Sequence, residues 1–254
     1  MHLSKTFGFV TATALFAFAH VAQAQIDANP QRFSSGVAVN AGPYLVGGLV
    51  VYDNIDTAAA AGYSESSANN PIFGDRMVLL QGGRLGAVGL GLFNSSSSGN
   101  TGSILTGTML VNFYDNTVPY AGGAIGNPLL GSATLTWDFT ASGGLAAGFY
   151  TTDVYDIYSL NITVPQNVLI TQQFTMTSGT SLRNGIVLLS NPVVGSSPAN
   201  VFMQSSATAA GIYAFAAPNP NQFGYYLEVV PEPATVSLAA LGIGAMLLFR
   251  RRNA

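Results

Sequence analysis

The stretch SLNITVPQNVLITQQFTMTS, Ser159–Ser178, decides the fold class. Leu160, Ile162 and Val164 alternate with Asn161 and Thr163, so an extended chain carries the apolar side chains on one face. Pro165-Gln166-Asn167 interrupts that run with turn-forming residues. A second alternation follows. Val168, Ile170, Phe174 and Met176 share one parity, and Thr171, Gln173, Thr175 and Thr177 the other. A period of two with one dry and one wet face is the signature of antiparallel strands over a core.

Working outward, short β-rich runs bounded by Gly, Asn, Pro and Ser recur through the chain. Strands are expected at Tyr44–Tyr52, Arg76–Leu80, Leu85–Phe93, Ile104–Tyr114, Ala133–Thr140, Gly185–Leu189, Val201–Gln204, Ile212–Phe215 and Phe223–Val229. About ten to twelve short strands divided by turn clusters predict an all-β body, an antiparallel β-sandwich of jelly-roll-like arrangement. Ala58–Ala61 reads as a single helical turn, and no longer helix is expected in the body. Asn94–Asn100, NSSSSGN, reads as a loop between two strands. No repeat of 20–50 residues is visible, which argues against propellers and solenoids.

Charge is scarce and unevenly placed. Charged residues make up 7% of the 254, against about 25% in an ordinary soluble domain. The only lysine is Lys5, and the only histidines are His2 and His20. From Gln25 to Val229 the bases are Arg32, Arg76, Arg84 and Arg183, outnumbered by ten acids to a net charge of −6. Such a body has little with which to neutralise phosphates, so nucleic acid is disfavoured as a partner. Hydrophobic residues at 48% exclude global disorder, and the absence of cysteine excludes disulfides and thiolate chemistry. The surface must be mostly Ser, Thr, Asn, Gln and Gly, which suits an extracellular protein in contact with matrix or glycans.

The two ends read as targeting segments flanking one body at 25–229. Residues 1–24 have a basic start at Lys5, a short apolar stretch from Phe7 to Ala19, and Ala22-Gln23-Ala24 as a small-x-small site. These are the parts of a secretory signal peptide, with cleavage by signal peptidase expected after Ala24. Residues 230–254 begin with Val230-Pro231-Glu232-Pro233, continue as an apolar run from Ala234 to Phe249, and close on Arg250-Arg251-Arg252. As a helix the run would span about 24 Å, short of the ~30 Å of a hydrocarbon core, and so is a marginal permanent anchor. The arginines stay on the cytoplasmic side of a membrane, which leaves the body outside. The two prolines hold a stiff, accessible strip around Glu232.

A signal peptide, an extracytoplasmic body, Pro-Glu-Pro, a short apolar helix and terminal arginines together resemble the PEP-CTERM proteins, the substrates of exosortases. The resemblance covers about the last 25 residues. It implies that an exosortase in the inner membrane recognises and removes the tail, releasing the body to the cell surface or to exopolysaccharide. It also implies association with biofilm matrix, and sugar on Ser-rich stretches such as Asn94–Asn100.

The body offers little chemistry. Without histidine, cysteine or lysine beyond Ala24, a Ser-His-Asp triad, a Cys-His pair, a Ser-Lys dyad and a histidine-bound zinc each lack a member. No catalytic residue and no cofactor is expected. Asp53 with Asp56, and Asp153 with Asp156, are weak calcium candidates, because hard oxygen ligands gather there at strand ends. Turn or solvated-edge roles are favoured over calcium for all four. Among aromatics, Trp137 shares parity with Leu135 and Phe139 and is expected in the core, while Tyr155 and Tyr158 are open to either core or sugar stacking. The leading expectation is a non-catalytic surface or matrix protein; a carbohydrate-binding module comes second, and a glycosidase working with two carboxylates third.

Overall fold

The computed structural model describes residues 31–33, 36–38, 48–55, 59–95, 102–152, 154–189, 191–214 and 222–230. The strands are β1 Gln31–Phe33, β2 Gly36–Ala38, β3 Leu49–Asp53, β4 Ala59–Ser66, β5 Ile72–Val78 and β6 Gly83–Asn94. They continue as β7 Ile104–Asp115, β8 Leu129–Asp138, β9 Gly148–Thr152, β10 Tyr155–Asp156, β11 Thr163–Val164 and β12 Asn167–Gly179. The last are β13 Arg183–Leu189, β14 Val201–Gln204, β15 Gly211–Tyr213, β16 Gln222–Phe223 and β17 Tyr225–Val230.

These strands form two sheets. A seven-stranded sheet runs β15-β14-β5-β12-β7-β8-β2. A ten-stranded sheet runs β1-β9-β6-β13-β16, with β10, β11 and β17 also on β6, β3 on β17 and β4 on β13. Pairing is antiparallel except between β1 and β9. The chain moves between sheets repeatedly, as from β4 to β5, β5 to β6 and β6 to β7. Val88, Leu90 and Leu92 of one sheet meet Val111, Leu135, Trp137 and Ile170 of the other in a single buried core.

Strand β6 shows how the sequence sets this core. Its segment Leu85-Gly86-Ala87-Val88-Gly89-Leu90-Gly91-Leu92 breaks simple alternation between Leu85 and Val88. The register against β17 slips at that point, where Glu228 pairs with Ala87 and Val229 with Leu85. One extra residue in a strand shifts the parity of everything beyond it. Leu85 and then Val88, Leu90 and Leu92 thereby all reach the core.

Strand β12 behaves as its alternation predicts only over its second half. Phe174 is buried, with Thr175 and Thr177 exposed beside it. In the first half both faces are covered. Val168 and Ile170 join the main core, while Leu169 packs with Tyr120 and Phe202 in a small outer cluster. Tyr120 comes from the loop between β7 and β8, where its amide donates to Asn116 Oδ1 at 2.8 Å. Asn127 Nδ2 ties the same loop by donating to the carbonyls of Asp115 at 2.7 Å and Val118 at 3.0 Å.

Several boundaries differ from the sequence reading. Ala59–Ala61 is strand, not a helical turn, because β4 pairs along β13 from Arg183↔Ser66 to Leu189↔Ala59. Cross-strand pairing overrides the helical preference of alanine there. Tyr158–Leu160 is a 3₁₀ turn closed by Asn161 at φ 54°, so only Thr163 and Val164 of that run pair with β6. Strands β9 and β10 were not anticipated from their short, mixed sequences. Tyr44–Tyr52 begins as strand only at Leu49, and its residues before Gly48 lie outside the described ones. The expected signal helix, the C-terminal membrane helix and most of the Asn94–Asn100 loop also lie outside them. Among the described residues no helix is long and apolar enough to cross a membrane.

Trp137 is fully buried, stacks on Phe174 with ring centroids 5.7 Å apart, and donates its indole N–H to the Tyr155 hydroxyl at 2.7 Å. Trp137→Ala is expected to cost about 3–5 kcal/mol of stability. Urea unfolding followed by far-ultraviolet circular dichroism measures it, and a loss below 1 kcal/mol would contradict this packing.

Candidate functional site

The C-terminal motif leaves the body from an interior position of a sheet. Strand β17 lies between β3 and β6, with Val229 opposite Leu49 on one side and Leu85 on the other. Val230, the first residue of the expected sorting motif, pairs with Arg84 and is the last residue of β17. Pro231 cannot donate to a ladder, so pairing has a chemical reason to stop there. Pro231, Glu232, Pro233, Arg250, Arg251 and Arg252 lie outside the described residues, as do Ala22 and Ala24.

The acids at strand ends serve the turns that end the strands. Strands β3, β7, β8 and β10 finish on Asp53, Asp115, Asp138 and Asp156. Each aspartate accepts the backbone N–H two residues on. The recipients of these bonds are Oδ1 of Asp53 from Ile55 at 3.0 Å, of Asp115 from Thr117 at 2.8 Å, of Asp138 from Thr140 at 2.9 Å and of Asp156 from Tyr158 at 2.8 Å. Thr117 and Thr140 add their hydroxyls at 2.6 Å, and these bonds hold the Asp115 and Asp138 carboxyls below the usual carboxylate range. Of the calcium candidates, Asp53 and Asp156 thus cap turns, and Asp56 and Asp153 lie outside the described residues. Among the described residues no three His, Cys, Asp or Glu side chains gather as a metal site.

One acid escaped the sequence reading. Asp75 lies on β5 between Phe73 and Met77, at core-facing parity, and is completely buried. That parity was the available signal. Its Oδ2 accepts the Phe223 amide at 3.4 Å, while Oδ1 is buried with no hydrogen-bond partner. Burial pushes its pKa well above the carboxylate range, outweighing the Phe223 and Arg76 amides, the Arg76 charge and the Ser197 hydroxyl. Burial first, and the charge of Asp75 next, also raise the pKa of Tyr52 and of Tyr225. The group is a sealed polar cluster.

Two of the tyrosines belong to the interior. Tyr155 is buried against Trp137, which resolves its open assignment towards the core, and Tyr225 is buried in β17. Tyr158 is half-buried and carries the Arg84 guanidinium 3.6 Å above its ring. The open hollow in the loop between β7 and β8, lined by Val118, Tyr120, Gly122 and Asn127, includes one carboxylate, Asp115.

The described residues define an all-β body whose chain continues C-terminally from an interior strand. Residues 229–253 match the family model of the PEP-CTERM protein-sorting motif. The chain therefore carries that motif, which implies export, membrane-associated processing and an exosortase as processing partner. No curated protein and no solved structure matches the chain.

The buried carboxyl makes stability depend on pH. The unfolded chain ionises Asp75 near pH 4, whereas the folded chain holds its proton to much higher pH. Folding therefore retains a proton, and this contribution to stability is fully present below pH ~4 and lost as pH rises towards the folded pKa. Asp75→Asn should make the decline of stability above pH 4 shallower by up to about 1.4 kcal/mol per pH unit. Urea titrations of parent and variant across pH 4–8 measure it. Parallel curves would contradict the assignment.

Proposed function

We propose that the chain is a secreted, non-catalytic structural protein of the cell surface or extracellular matrix. Signal peptidase cleaves after Ala24, the C-terminal run anchors the body transiently in the inner membrane, and an exosortase then removes the tail. The body, a jelly-roll-like sandwich, is left at the surface or in exopolysaccharide. The observation that carries this reading is the PEP-CTERM motif, which starts on the last two residues of β17. The use of strand-end acids in turns and of large aromatics in the core supports a body without catalytic or sugar-stacking work. A body with few charges fits contact with neutral polysaccharide through hydroxyl and amide groups.

Replacing Pro231 and Pro233 by alanine, or Arg250–Arg252 by glutamine, is expected to leave full-length protein in the membrane fraction of a host with an exosortase. Pulse-chase fractionation of parent and variants checks this. Release of both variants at the parental rate would overturn the sorting mechanism.

A further inference from the structure

One end of the sandwich gathers the apolar surface. Among the described residues nine large hydrophobic side chains are exposed, and five of them share this end: Val118 at 78%, Leu80 at 58%, Leu129 at 56%, Leu49 at 42% and Val78 at 39%. Register places them together. Val78 lies opposite Asn167, Leu79 donates its amide to Gln166, and Asn116 donates to Asn167. Leu129 lies opposite Tyr114 at the end of β7, and Val118 follows in the adjoining loop. On the other sheet Leu49 lies opposite Val229, the penultimate residue of β17. Single exposed apolar residues are ordinary, whereas a grouping at one end calls for a partner.

The same end is where the chain departs for its tail. Three residues, and so four residue steps, separate Val230 from Ala234, a reach of at most about 14 Å for an extended chain. The headgroup layer on each side of a bilayer is itself roughly 5–8 Å deep. While the tail is inserted, this end cannot stand far from the lipid. Leu129 opens β8 of the second sheet, about 10 Å from the exit strand's sheet, and Val118 lies in the loop that precedes it at the same end. The charges agree. Arg76 and Arg84 lie at this end against Asp115 and the buried Glu228 and Asp156, which flank Ala87 on either side, two bases to three acids in a body that carries four to ten. Anionic headgroups meet a smaller excess of acid here than over the body as a whole.

We propose that, before cleavage, the body rests on the bilayer through this end, with Leu49, Leu80, Val118 and Leu129 among the lipid headgroups. The inference deepens the proposed function and rests on its reading of the tail as membrane-inserted. A contact this small is weak alone, but the tether holds it at high effective concentration. Removal of the tail dissolves the contact and frees the body. The bilayer surface also fixes which face of the exit strip is presented to a membrane enzyme.

The chain has no cysteine, so single labels are unambiguous. Leu80→Cys, Val118→Cys, Leu182→Cys and Gly242→Cys variants of the exported, tail-bearing chain would carry an environment-sensitive fluorophore. They would be reconstituted in vesicles of phosphatidylcholine and phosphatidylglycerol containing doxyl lipids. Leu182 is exposed at the opposite end of the body, where β12 turns into β13. The expected result is loss of fluorescence at 80 and 118 with a headgroup-level quencher, none at 182, and loss at 242 with a deep quencher. Quenching at 242 with 80 and 118 no different from 182 would overturn the docking inference alone. An unquenched label at 242 would overturn the tail reading and the inference with it. Quenching at 80 and 118 only in native membranes, not in pure lipid, would assign the contact to a protein and overturn the lipid assignment.

Discussion

The fold depends on the enclosure of β6. One of its edges carries β17 and β13, and the other carries β9, β10 and β11. Buried backbone needs its N–H and C=O groups paired, and five partner strands line the twelve residues, while the amides of Leu85 and Gly91 donate to the Ile162 and Gly224 carbonyls and that of Leu90 to the Thr152 hydroxyl. Glycines lie on its outer face at close contacts. A Cβ at Gly89 would lie 3.1 Å from the Tyr226 Cβ, and one at Gly91 would lie 3.3 Å from the Val187 Cβ. A side chain at either position would need those neighbours to give by a few tenths of an ångström. With no cysteine in the chain and few charges, this ladder and the core beneath it hold the body together.

That enclosure governs the exit as well. The tail is attached to β17, a strand paired on both edges, so a pull on the tail is opposed by two ladders of hydrogen bonds. A sorting strip joined to a frayed edge would be presented in many orientations. Here the first residue of the strip is still in register with Arg84. Among the described residues of the body, several acids and the tryptophan have structural duties. Asp53, Asp115, Asp138 and Asp156 close turns, Asp75 is sealed between sheets, and Trp137 bonds to Tyr155.

Much of this was legible in the residues. Alternation located most long strands, and Val201–Gln204 has the same bounds in both readings. The parity of Trp137 with Leu135 and Phe139 placed it in the core, where all three are found. What alternation could not convey is partnership. Ala59–Ala61 looks helical alone and becomes strand only because Val187–Leu189 lie alongside. Tyr155 is committed to the interior by Trp137, a residue on another strand. The slip at Gly86 and the ten-to-seven division of strands follow from pairings between distant segments. The tail was legible for the opposite reason: its meaning lies in the order of residues, Pro-Glu-Pro, then an apolar run, then arginines, without any tertiary contact.

The central claim is that the C-terminal segment is a sorting signal that is removed, and mass spectrometry of terminal peptides tests it most directly. The protein would be recovered from the envelope and from the medium of its native host. The account predicts a mature form that begins at Gln25 and lacks everything beyond the Pro231–Pro233 region, found outside the cell. An intact peptide reaching Arg250–Arg252, recovered only from membranes, would mean a permanent anchor and contradict the account.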